Sequence, residues 1–174
     1  MFKTIDFSDS GLTLLKKASN LPKVEIQRNF VKTTPYPAQL NMPLSKEDWN
    51  IIVTEKTQWP YSKPYEYHYL NRSYYKNNIY AITYSRLFIS GNNSNDINEI
   101  VMTLLNSNGK LISSFIIRGN HGDNLDFSSS INSKYEIKRE TNKYKINPKT
   151  KKYERYSSIK KFKINENGYI SVVK

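Results

Sequence analysis

Ile97 to Gly119, INEIVMTLLNSNGKLISSFIIRG, is the stretch whose reading decides the fold. Two apolar arms flank Asn108-Gly109, and an Asn-Gly pair in that setting signals a hairpin, because a tight turn needs positive φ at its centre. Side chains alternate along an extended chain, so Ile100, Met102 and Leu104 take one face and Val101, Thr103 and Leu105 the other. In the second arm Leu111, Ser113, Phe115 and Ile117 oppose Ile112, Ser114, Ile116 and Arg118. The first arm is apolar on both faces, which predicts a central strand covered on both sides.

The same pattern continues in both directions. Toward the C-terminus come a polar connection (Gly119 to Asn124), an extended run from Ile131 to Lys138, and a break at Asn147-Pro148-Lys149. Tyr156 to Ile164 and Tyr169 to Val173 then form a closing hairpin around Asn165-Glu166-Asn167-Gly168. Toward the N-terminus, Ile79 to Ile89 reads as a long strand and Asn77-Asn78 as a turn, with Gly91 to Asn95 a loop. Tyr65, Tyr67 and Tyr69 alternate with Glu66, His68 and Leu70 in a further strand.

Before the strands, Ser45-Lys46-Glu47-Asp48 has the form of a capping box, with Trp49, Ile52 and Val53 at helical spacing, predicting a helix near 45–56. Asp9 or Ser10 is placed to cap a helix through Leu12, Leu14 and Leu15, with Lys16 and Lys17 in its last turn. Gly11 and Asn20-Leu21-Pro22 limit that helix to about two turns. Val24 to Val31 reads as an edge strand, and Pro22, Pro35, Pro37 and Pro43 mark the stretch around it as surface coil. The expected fold is one mainly β (α+β) domain. Residues 65–174 form an antiparallel meander of about seven strands, and 1–64 an N-terminal extension with Pro-rich coil and one or two short helices.

Composition narrows the function. The chain has no cysteine among its 174 residues, which excludes a disulfide scaffold, a cysteine nucleophile and a thiolate metal site. No run approaches the roughly 20 apolar residues of a membrane-spanning helix. Asp6, Ser8, Asp9 and Ser10 interrupt any apolar leader, so the expectation is either a cytoplasmic chain or one from which a leader has been removed. Net charge is +12, with 27 Lys and Arg against 15 Asp and Glu. Lys134 to Lys174 carries 13 of those cations against 4 Glu, or +9, which favours an acidic partner: nucleic acid, an anionic membrane surface or an acidic protein. Lysine-rich AT-biased coding would produce the same count without a partner.

Candidate sites are few. His121, Asp123 and Asp126, with Asn120 and Asn124, could offer oxygen ligands to calcium, but their spacing departs from the calcium-loop pattern, and a glycine-permitted turn explains them. A hydrolytic triad would need His68 or His121, and no nucleophile elbow, zinc-protease motif, P-loop or dinucleotide fingerprint accompanies either. The expectation is a non-enzyme without cofactor or metal. Ten of the 23 aromatics lie between Trp59 and Phe88, interspersed with Arg72, Lys76 and Arg86. They can pack a sheet, present a protein interface or stack bases. In the basic section, Lys and Arg would alternate with Tyr135, Ile137, Tyr144, Tyr153, Tyr156, Ile159, Phe162 and Ile164 to give one wet positive face; lysine also guards exposed strand edges. The candidate partner-binding residues are Tyr65, Tyr67, Tyr69, Arg72, Tyr74, Lys138, Arg139, Lys152, Arg155 and Lys160.

Four segments carry a resemblance: Asn108 to Ser114 (NGKLISS), Gly119 to Asn124 (GNHGDN), Ser130 to Ile137 (SINSKYEI) and Phe162 to Ile170 (FKINENGYI). Together they resemble small β-meander proteins of AT-rich Gram-negative bacteria, often periplasmic or lipid-anchored, over about residues 98–174. Some such proteins are immunity partners of secreted antibacterial toxins. The resemblance implies a non-catalytic protein-binding module that occludes a toxin surface which is acidic or seeks positive charge. The alternative expectation is a single-stranded nucleic-acid binder using Tyr stacking and the basic C-terminal face.

Overall fold

The computed structural model describes residues 7–23, 42–91, 96–122 and 124–173, with side chains from Ser10 onward. Among the described residues two helices, α1 (Phe7–Ala18) and α2 (Lys46–Ile52), precede eight strands. These are β1 (Tyr65–Tyr74), β2 (Tyr80–Phe88), β3 (Ile97–Leu105), β4 (Leu111–His121), β5 (Leu125–Ile131), β6 (Glu136–Ile146), β7 (Tyr153–Ile164) and β8 (Ile170–Val172). All eight pair antiparallel in sequence order, so the antiparallel meander expected from the sequence is the observed fold.

β3 lies third in the sheet, and its faces divide as the alternation requires. Ile100, Met102 and Leu104 join one core, Val101 and Leu105 the other. The first core lies under the helices, where Leu14 of α1 and Trp49 and Ile52 of α2 cover Tyr67, Tyr69, Ile82 and Tyr84. The second core is closed by the sheet itself. β4 pairs with β5 only from Arg118 to His121, so the two strands splay beyond that point. The C-terminal half folds back over the gap, bringing Ile131, Ile137 and Ile164 against Phe115 and Ile117. Main-chain acceptors of the last turn fasten the closure: Ser113 Oγ donates to Gly168 O (2.6 Å) and Asn77 Nδ2 to Glu166 O (3.3 Å).

Four details depart from the sequence expectations. In β4, Leu111 pairs with Leu105 and Ser113 with Leu104, so Ile112 is bulged; Leu111 packs on the helix side while Ile112 faces the second core. A bulge inserts one residue and resets the alternation, which separates Leu111 from Ser113 and Phe115. The run Ile131 to Lys138 is broken by a turn at 132–135: Ile131 ends β5, β6 begins at Glu136, and Asn132 Oδ1 accepts from the Lys134 and Glu136 amides. Helix α1 runs twelve residues, with Ser10 and Gly11 inside it. A Cβ on Gly11 would lie 2.6 Å from Asn108 O, so this glycine serves close approach of α1 to the β3–β4 turn, not helix termination. Helix α2 is capped as read, with the Asp48 amide donating to Ser45 Oγ (3.2 Å), and stops at Ile52, short of residue 56.

Short segments cover the β1 edge. Leu44 N–H donates to Tyr67 O, Tyr69 N–H to Met42 O and Arg72 N–H to Pro22 O. The strand expected over Val24 to Val31 lies outside the described residues, as do most of the loop after Gly91 and Asp123.

Candidate functional site

Two features stand apart from ordinary core packing. The first is an ion cluster at one end of β2, β3 and β4. Arg86 pairs with Glu99 across β2–β3, and both are buried, at 2% and 3% exposure. Arg86 Nε donates to Glu99 Oε2 (2.5 Å) and a terminal nitrogen to Glu55 Oε2 (2.6 Å), while the guanidinium lies 4.4 Å from the Trp59 ring centre. His121 Nε2 stands 2.6 Å from Glu99 Oε1, so both carboxylate oxygens of Glu99 are engaged. Burial works against the Arg86 charge, but Glu99 and Glu55 more than offset it and raise its pKa. Burial likewise opposes the Glu55 charge, and the Arg86 hydrogen bond holds its carboxyl below the ordinary value.

The cluster floors a cleft of about 440 Å³ with Trp59, Tyr65, Phe88, Ile97 and Ile116 in its walls. Among the described residues no serine, threonine or lysine lines it; His121 meets an acid there, and the Tyr65 phenol is the hydroxyl of the described lining. The cluster ties β2, β3 and β4 to one another and to Glu55 and Trp59. Glu99 was missed from sequence, although a signal existed: a single acid inside INEIVMTLL must find a cation if both faces are buried. Among the described residues no group of three or more His, Asp or Glu side chains is arranged to hold a metal ion. Asp126, next to the loop read as a glycine-permitted turn, accepts from Asn142 (2.6 Å) and Tyr144 (2.7 Å).

The aromatic zone mostly packs. Tyr67 and Tyr69 are buried at 5% and 2% exposure, and Tyr75 and Tyr84 are buried with them. Tyr67 donates to Pro60 O (3.0 Å), and burial pushes its phenol up to about 12. Tyr65 is half-buried against Trp59 and Phe88, and Arg72 is held by Leu21 O (3.0 Å). Of the tyrosine candidates, Tyr74 alone is widely exposed, beside Tyr80. Alternation in a strand cannot say which face a helix will cover, and α1 and α2 cover the tyrosine face.

The second feature is the β6–β7 hairpin. Every β7 residue from Tyr153 to Lys161 is exposed except Glu154, so both faces of the strand are wet. The single positive face expected from the sequence is therefore not what forms. Register places Lys138 and Lys161 on one face and Lys143, Lys145 and Lys160 on the other, because no buried side imposes an alternation there. Arg155 lies across the first face, bonded to Asn142 Oδ1 (2.9 Å) and paired with Glu140 (3.1 Å). Arg139 is the exception among the basic candidates. It turns inward over the Phe115, Phe127 and Phe162 rings and donates to Ile116 O, a carbonyl freed by the β4–β5 splay. Burial lowers its pKa. Lys138, Lys152 and Lys160 remain exposed.

No protein-family model matches this sequence, and no curated protein matches it.

Proposed function

We propose that this protein is a non-catalytic binding module that holds an acidic protein partner against its β6–β7 hairpin. The observation that supports this most is the two-sided exposure of β7, within a section whose charge is +9. A strand that buries neither face contributes little to its own fold, and its lysines form a field that would steer an oppositely charged surface. An immunity protein occluding a secreted toxin is the form of this reading that the sequence resemblance suggests. A periplasmic location would suit that role.

A single-stranded nucleic-acid partner remains the alternative, favoured by Tyr153 and Tyr156, which are 64% and 52% exposed beside lysines. The test is capture of partners from the protein's own cell type, comparing the wild type with a Lys143→Glu, Lys145→Glu, Lys152→Glu variant. The expected result is an acidic protein recovered at low salt, released at high salt and missed by the variant, with the association rate falling about tenfold. Recovery of nucleic acid alone would shift the assignment to the alternative.

A further inference from the structure

β7 has two edges, and only one is used along its length. Toward β6 it is paired from Tyr153 to Lys163. Toward β8 the ladder covers Phe162 to Ile164, with one more bond from Val173 N–H to Lys161 O (2.9 Å). From Tyr153 to Lys160, no described residue pairs with the second edge. That bond turns the Lys161 carbonyl toward β8, so alternation turns the main chain of Tyr153, Arg155, Ser157 and Ile159 the same way, away from β6. Their amides and carbonyls form a ready template for another strand.

Two observations bear on what fits there. The opposite edge of the sheet, β1, is covered by Pro22 and by Met42 to Leu44, so an uncovered edge is a property of β7 and not of the fold in general. The surroundings of β7 are basic, with Lys138, Lys143, Lys145, Lys160 and Lys161 on the two faces. A second copy of this chain would bring that field against itself, whereas an acidic strand would meet opposite charge at directly opposed positions. Tyr153 and Ile159 on one face and Tyr156 on the other, all more than half exposed, offer apolar contacts to alternate side chains of an added strand.

We propose that the Tyr153–Lys160 edge takes an added β-strand from an extended acidic segment of the partner protein. This rests on the binding-module reading above and specifies how the partner is held. The probes are a synthetic peptide of about eight residues alternating Glu and Val, and one of equal charge alternating N-methylated Glu and Pro, which has no amide to donate to a ladder on either edge. The Glu–Val peptide should bind about tenfold more tightly than the Glu–Pro peptide and slow hydrogen exchange at the Arg155, Ser157 and Ile159 amides. Ile159→Pro removes an outward amide and leaves the β6 ladder in place, so it should abolish that preference, while Ile159→Ala should keep it. The exchange measurement uses the wild type and stands even if Ile159→Pro fails to fold. Equal binding of the two peptides without amide protection would overturn strand addition while leaving the basic hairpin as a binding surface. Binding of neither would overturn both. Concentration-dependent dimerisation with the same amides protected would put a second copy on this edge, and tighter binding of an oligonucleotide of equal charge would put a nucleic acid there; either overturns the proposal.

Discussion

Arg86 and Glu99 show how a side chain that looks like surface in the sequence becomes interior in the fold. Both sit in strands flanked by apolar residues, and each is tolerated because the other lies across the ladder. Deleting one partner strands a charge with almost no access to water. Arg86→Ala is expected to destabilise the protein by about 3–5 kcal/mol, and Arg86→Met with Glu99→Leu to recover most of it, because an apolar pair of similar volume avoids desolvation. Urea unfolding of the single and double variants measures this; a double variant no more stable than the single one would show that the cluster contributes more than paired burial. Gly11 sets a second contest between two effects. Alanine favours a helix interior by about 1 kcal/mol over glycine. Here the added Cβ would lie within 3.0 Å of three backbone atoms of Asn108 and Gly109, which have no rotamer to escape into. Overpacking against backbone costs about 1–3 kcal/mol, so Gly11→Ala should lower the urea midpoint. The sequence marked Gly11 as a helix breaker because close approach between distant segments leaves no trace in local spacing.

Elements with a local cause were the legible ones. Ser45 and Asp48 announced the start of α2, and the Asn108-Gly109 turn, Gly109 having φ +74°, announced the β3–β4 hairpin. Ser45→Ala should cost about 1 kcal/mol in urea unfolding, the usual effect of removing a helix cap. A negligible change would mean that Lys17, bonded to Asp48 at 2.9 Å, fixes the start of α2 instead. What depended on distant partners was not legible. The Ile112 bulge, the splay that admits Arg139 and the helix cover over Tyr67 and Tyr69 all follow from how strands meet elements far away in the chain. The candidate binding residues divided on the same line. Lys138, Lys152 and Lys160 stay exposed on the wet part of the hairpin, whereas Arg139 was drawn in by three phenylalanine rings.

At the scale of the whole molecule, a low mean hydropathy of −0.70 is reconciled with two cores by tyrosine, and that choice has a consequence at high pH. Burial pushes Tyr67 up to about 12, and Tyr69 and Tyr84 upward as well; the Asp48 carboxylate adds to the effect on Tyr69. In the unfolded chain each phenol ionises near pH 10. Below that, both states keep the proton and stability is at its full value. Above it the unfolded chain releases protons that the folded chain retains, so stability falls as pH rises toward the folded values. Tyr69 and Tyr84, at 2% and 1% exposure, should each remove about 1.4 kcal/mol between pH 9 and 11, the slope steepening as the unfolded phenol ionises. Urea midpoints at about pH 9, 10 and 11, with tyrosinate absorbance followed in parallel, test this. The buried phenols should ionise together with unfolding rather than before it, and Tyr84→Phe should flatten the decline by one tyrosine's share. Ionisation of all fourteen tyrosines in a folded chain near pH 10 would show that the helix layer leaves that face of the sheet open to water.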